Sequence, residues 1–129
     1  MVGLNVTRNA RLTHDQIAEA REMNTDAATV VADLLTYFVD VYESSFEFEG
    51  VPIHDACAVA EIISPGILDT THTSVGVETK GDLTYGRTVA DVRDVADDWP
   101  NVEAPNADVA LDIDDEAFFE MFRSVLAAY

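Results

Sequence analysis

The chain offers its chemistry in one short stretch, Gly50-Val51-Pro52-Ile53-His54-Asp55-Ala56-Cys57-Ala58-Val59-Ala60, which sets a histidine and a carboxylate side by side where a loop gives way to a helix. An imidazole titrates near neutrality and can hand over a proton, while a carboxylate oxygen suits a hard cation. Gly50 and Pro52 mark the loop, Asp55 is placed to cap the helix that follows, and the small apolar run through Ala60 can pack deep inside a fold. His54 is thereby expected at the rim of a rigid element. Cys57, among Ala56, Ala58 and Val59, reads as a small buried filler, because a nucleophile needs an activating environment.

The elements that must hold this pair follow from local pattern. Leu4 to Val6 reads as a short strand. Thr13-His14-Asp15-Gln16 has the form of a capping box and predicts a helix to about Glu22. A longer helix starts near Asp26. Its apolar residues, among them Val30, Leu34, Phe38, Val41 and Tyr42, recur at spacings of three and four and predict one core-facing side, with Asp33, Asp40 and Glu43 opposite. A third helix is expected from Asp55 to about Ile63, ending before Ser64-Pro65-Gly66. Val75 and Val77 alternate with small residues as a strand, Val89 and Val92 suggest its return, and Val109 with Leu111 suggests a third strand. Asp94 to Pro105 reads as a polar loop. Asp114 is placed to cap a last helix whose apolar face comprises Phe118, Met121, Phe122, Val125 and Leu126. Helices and strands mix without internal repeats, which predicts an α/β or α+β chain, one domain over residues 1–129.

Composition narrows the class. The 129 residues carry 25 acidic and 7 basic side chains, a formal charge of −18, with Lys80 the single lysine. Such a surface repels nucleic acid and anionic membranes, so neither is expected as a partner. Carboxylates scattered through the whole chain point to a cytoplasmic protein adapted to high salt. One cysteine forms no internal disulfide, no charged-then-apolar leader is seen, and no apolar run reaches membrane-spanning length. His14 and His72 read as solvated, and Glu78, Asp82 and Arg87 as structural charge or solvent face.

Four segments occur in an order that carries further meaning: Gly3-Leu4-Asn5-Val6-Thr7; Pro52-Ile53-His54-Asp55-Ala56-Cys57-Ala58-Val59-Ala60; Val77-Glu78-Thr79-Lys80-Gly81-Asp82-Leu83-Thr84-Tyr85-Gly86-Arg87-Thr88-Val89-Ala90-Asp91; and Pro105-Asn106-Ala107-Asp108-Val109-Ala110-Leu111-Asp112-Ile113-Asp114 followed by Phe118-Phe119. This order resembles the late part of the inosine-uridine-preferring nucleoside hydrolases. The resemblance implies an α/β fold, the C-terminal part of that family's open mixed sheet flanked by helices. It implies cleavage of the N-glycosidic bond of purine or pyrimidine ribonucleosides to base and ribose. At matching positions His54 becomes the donor to the leaving base and Asp55 a calcium ligand. Tyr42, with Phe38 one turn earlier, becomes the aromatic that folds over the nucleoside, although by residue type alone both read as core or surface aromatics. Arg8 stands where many relatives carry histidine, and Ala56 where proline is commoner.

The family's Asp-rich motif, which supplies most calcium ligands and the base that activates water, has no counterpart at Met1-Val2-Gly3-Leu4. Calcium takes about 6 to 8 oxygen ligands and Asp55 offers at most two. The expectation is therefore a C-terminal portion whose calcium site is completed by a missing N-terminal part, inactive alone or assembled as a homo-oligomer or with a complementing half. The alternative from another class is a non-catalytic domain that self-associates or binds a partner through the surface that half would cover.

Overall fold

The computed structural model describes residues 1–47, 49–93 and 103–129. The elements run α1 (Leu4–Thr7), β1 (Arg11–Leu12), α2 (His14–Glu22), α3 (Asp26–Ser45), β2 (Val51–Pro52), α4 (His54–Ile63), β3 (Leu68–Thr73), β4 (Val75–Val77), β5 (Thr88–Ala90), β6 (Ala107–Ile113) and α5 (Asp115–Ala128). This is the mixture of helix and strand expected of an α/β chain. Within the described residues its strands pair as three antiparallel ribbons, β1 with β2, β3 with β6 and β4 with β5. Phe48 and most of the expected polar loop, residues 94–102, lie outside the described residues.

Local signals built the helix starts. Thr13 caps α2 through the complete capping box with Gln16, and Thr25 and Asp114 cap α3 and α5 by accepting the Ala28 and Ala117 N–H groups. These caps satisfy backbone donors that a helix start leaves without partners.

Three expectations are corrected by tertiary context. Leu4 to Val6 forms a single helical turn, with the Val6 and Thr7 N–H groups both donating to Gly3 C=O. Met1 takes the strand-like role, its carbonyl accepting from Ala110 N–H of β6. This docking buries Val6 and Thr7 together, which strand alternation does not allow. In α3 the core side is Ala28, Ala32 and Val39, whereas Val30, Leu34, Phe38 and Val41 are exposed. The small alanines let α2 and α5 approach closely, so the buried stripe is turned by about a third of a turn from the one the large side chains suggested. In β6 the alternation breaks: Val109 and Ala110 are both buried and Leu111 is exposed. A register shift explains it, since Asp69 faces Asp112 while Thr70 faces Ala110, leaving Leu111 as a bulge.

The main core joins Val6, Leu12, Val39, Cys57, Ile113 and Phe118, the last fully buried and edge-on to Phe119 with ring centroids 5.1 Å apart. Val125, expected on the inner face of α5, is exposed, and Phe119 takes its place inside. Cys57 and Ala60 of α4 lie in this core with Ala56 against it, which fixes the helix that begins at His54.

Candidate active site

The turn before His54 is held from two sides. Gly50 adopts φ +82°, and a Cβ there would meet Leu12 C=O at 2.8 Å, so the close approach of β2 to β1 needs glycine. Its N–H donates to Glu43 Oε1 at 2.9 Å, and Glu43 Oε2 lies 3.1 Å from His14 Nε2, which ties the turn to α3 and α2. Leu12 then pairs with Val51 and Arg11 with Pro52, and Ile53 N–H donates to Ala10 C=O at 2.9 Å. The chain turns into α4 at the next residue. Contrary to expectation Asp55 is not the cap: Ile53 occupies that position without a side-chain bond, and Asp55 stands exposed in the first turn. A carboxylate there complements the positive end of the helix dipole.

His54 is fixed by a residue 47 positions away. Its Nδ1 lies 2.7 Å from Thr7 Oγ1, on the buried threonine of α1. A hydroxyl both donates and accepts, so the ring is held in either protonation state. Neutral, it either accepts from Thr7 O–H with its proton on Nε2 or donates Nδ1–H to the hydroxyl oxygen; charged, its Nδ1–H donates to Thr7. Only the charged ring has a proton to deliver, from Nε2, which has no hydrogen-bond partner among the described residues; once that proton leaves, the neutral ring keeps its Nδ1–H donated to Thr7 Oγ1.

Phe38, Tyr42, His54 and Asp55, the four residues singled out from sequence, all line one open groove of about 490 Å³, together with Leu35 and Pro52. A second groove of about 310 Å³ adjoins it, lined by Leu4, Arg8, Tyr42, Phe46, Pro52 and His54. Tyr42, Pro52 and His54 form the shared wall, so His54 stands between Asp55 on one side and Arg8 on the other. The Tyr42 and Phe46 rings pack at 5.3 Å, tilted by 35°. Thr7 and Phe46 were not foreseen as site residues. Thr7 lies within the Asn5-Val6-Thr7 segment, but nothing local in sequence shows which distant side chain it meets.

A larger groove of about 550 Å³ lies on α2 and α3, lined by His14, Ile17, Arg21, Asn24 and Thr36 among others. It has no aromatic wall, and its basic side chains are engaged, His14 with Glu43 and Arg21 with Asp33 at 2.6 Å. The carboxylate of Glu43 raises the pKa of His14; the Gly50 N–H and then the His14 bond lower that of Glu43. His14 and His72 are both exposed, as expected, with His72 Nδ1 2.8 Å from Asp108. Cys57 is fully buried, its thiol donating to Ile53 C=O at 3.0 Å and pushed up in pKa by burial, which fits a filler and not a nucleophile. Glu78 accepts from the Lys80 and Gly81 N–H groups and is lowered in pKa by them, an intraturn role.

Among the described residues no three or more His, Cys, Asp or Glu side chains gather to hold a metal ion. Asp55 is a single exposed carboxylate, against the 6 to 8 oxygens calcium requires. The described residues do not by themselves make a calcium site. No described helix is long and apolar enough to cross a membrane.

Comparison with known proteins places this geometry. The chain is 35% identical, over its whole length, to the pyrimidine-specific ribonucleoside hydrolase RihA of Klebsiella pneumoniae subsp. pneumoniae and to that of Salmonella gallinarum. It covers 40% of the length of each. Its fold superposes on a purine-preferring ribonucleoside hydrolase from Gardnerella vaginalis with a TM-score of 0.82 and 29% identity, covering 99% of this chain and 39% of that one. A plant nucleoside hydrolase shares the fold at a TM-score of 0.80 and 17% identity, covering 98% of this chain and 40% of its own. Since the sequence model of the inosine-uridine preferring nucleoside hydrolases matches residues 1–120, this chain belongs to that family.

Proposed function

We propose that the chain forms the leaving-group side of a ribonucleoside hydrolase site, in which the N-glycosidic bond is cleaved to base and ribose. The carrying observation is the convergence of Phe38, Tyr42, His54 and Asp55 on one groove, with the His54 ring held through Nδ1 by Thr7. Departure of a nucleobase leaves electron density on its ring nitrogen, and a proton delivered there makes it a better leaving group. The charged form of His54 supplies that proton from Nε2 and ends as the neutral Nδ1–H ring, its Nδ1–H donating to the Thr7 hydroxyl before and after the transfer. Tyr42, in the wall shared by the two grooves, offers an aromatic face on which a base can stack, and Phe38 covers the nucleoside on the Asp55 side. Asp55 would offer one carboxylate to a calcium ion, which would need its other ligands from a complementing polypeptide. When bound, that ion would hold the attacking water and the ribose hydroxyls. The setting is the cytoplasm, in high salt.

Ribose release from inosine and uridine, measured in molar salt with calcium and with His54→Ala as control, tests the roles. Activity that disappears in the variant supports them. Equal activity in both proteins overturns the assignment of His54.

A second reading, a non-catalytic domain that binds a partner, is favoured by one observation. On α4 the side chains of Val59, Ile62 and Ile63 are exposed, Ile62 at 81%, and follow Asp55 at spacings of four, seven and eight, hence on its face of the helix. Size-exclusion chromatography decides it: a monodisperse monomer that captures no second polypeptide counts against this reading.

A further inference from the structure

The residue that the function above does not use is Arg8. It closes α1, lines the 310 Å³ groove with Tyr42, Phe46 and His54, and is exposed. In a chain with 25 acids and 7 bases its guanidinium makes no hydrogen bond or ion pair among the described residues, whereas Arg21, Arg93 and Arg123 are each paired with a carboxylate. Leaving a cation uncommitted in so acidic a protein, beside an aromatic wall, leaves its five N–H donors for a ligand. Guanidinium has donors and no acceptor, so it welcomes carbonyl oxygens and rejects amino groups.

The order of residues along the two grooves says which part of the ligand it meets. Asp55 lines one groove, Arg8 the other, and His54 stands in the wall they share. This step rests on the proposed function: with ribose on the Asp55 side and the departing ring nitrogen at His54, the base extends past His54 toward Arg8. We propose that Arg8 is a specificity-determining residue that selects bases with a carbonyl on the edge remote from the sugar, such as uracil and hypoxanthine, over bases with an amino group there, such as cytosine and adenine. Selection would then follow carbonyl against amino, not ring size. One charge-assisted hydrogen bond gained, against an amino group facing a cation, gives a preference of about tenfold or more.

The test is binding, so that it does not depend on turnover. Amide and side-chain NMR shifts of the 129-residue chain are followed during titration with uridine, cytidine, inosine and adenosine, for the wild type, Arg8→Ala and Arg8→Glu. The expected result is tighter binding of uridine and inosine by the wild type, shifts at His54 and Tyr42, loss of the preference in R8A, and its reversal toward cytidine and adenosine in R8E, where an acceptor replaces the donors. Because Arg8 is exposed, both variants should fold, which the dispersion of the same spectra shows. Four equal affinities with shifts in the groove overturn the role of Arg8 and leave the proposed function standing. Shifts absent from the groove with all four nucleosides overturn both.

Discussion

Replacing Gly50 by alanine tests how rigidly the turn before His54 is built. Two costs arise. At φ +82° a residue with a Cβ pays roughly 1–2 kcal/mol, and the new methyl would sit 2.8 Å from Leu12 C=O, a backbone atom that cannot swing aside. Relieving that clash means parting β2 from β1, which weakens the Gly50 N–H to Glu43 and Ile53 N–H to Ala10 bonds, each contributing about 0.5–1.5 kcal/mol. The sum is about 2–5 kcal/mol, a large part of the roughly 5–15 kcal/mol that holds a typical domain together. Gly66 is the internal control. It has φ +100°, but nothing lies within 4 Å of a Cβ built there, so Gly66→Ala carries the conformational cost without the clash. The gain from stiffening the unfolded chain is shared by both variants and cancels in the comparison. Urea unfolding followed by circular dichroism in molar salt should show G50A less stable than G66A by at least about 1 kcal/mol, at equal slopes. Equal losses would refute the view that the approach of Gly50 to Leu12 holds the turn.

Other outcomes follow from the same geometry. Thr7→Val keeps shape and burial but removes the hydroxyl from His54 Nδ1; stability should change by no more than about 1 kcal/mol, while nitrogen-15 spectra of the neutral ring should show a changed ratio of its two tautomers. Cys57 should react with an aromatic disulfide reagent only as fast as the protein unfolds, since burial both hides the thiol and raises its pKa. His14 has its pKa raised by Glu43, so its contribution is complete below the unfolded value near 6.5 and fades as pH rises through the folded one. Glu43, lowered, contributes above its unfolded value and loses that as pH falls. The melting temperature of the wild type should therefore decline between pH 6 and 8 by an increment that His14→Gln abolishes. With a net charge of −18, compactness should be lost in dilute buffer, where like charges repel over about 30 Å at 0.01 M salt, and return in molar salt, where that range falls to about 3 Å; an unchanged circular dichroism spectrum would count against this.

What could be read from sequence was whatever is decided within a few residues. The Thr13/Gln16 capping box, the Asp114 cap and the Gly50/Pro52 turn ahead of His54 are local devices, and each stands where its residues put it. β3 was not legible, because Leu68-Asp69-Thr70-Thr71-His72-Thr73 buries its two ends and exposes everything between. It is a strand through its partner β6, not through its own pattern. The site divides in the same way. The loop-to-helix junction announces His54 and Asp55, and helical spacing puts Phe38 and Tyr42 on one side of α3. The Thr7 bond that fixes the imidazole spans 47 residues and exists only through the docking of α1.

The misreading of α3 has the same origin and bears on function. Hydrophobic periodicity weighs large side chains, but close helix packing selects small ones, so Ala28 and Ala32 went inward and Leu34, Tyr37, Phe38 and Val41 stayed out. Phe38 is exposed at 47% and lines the groove, where an aromatic face turned away from the core is available to a ligand. On α4 the outward stripe of Val59, Ile62 and Ile63 runs on from Asp55. Polypeptide laid on that stripe would be brought to Asp55, the carboxylate that the proposed function assigns to a calcium ion. The catalytic and the partner-binding readings thus make the same demand on α4. A chain spanning two-fifths of its relatives' length can satisfy both through one contact.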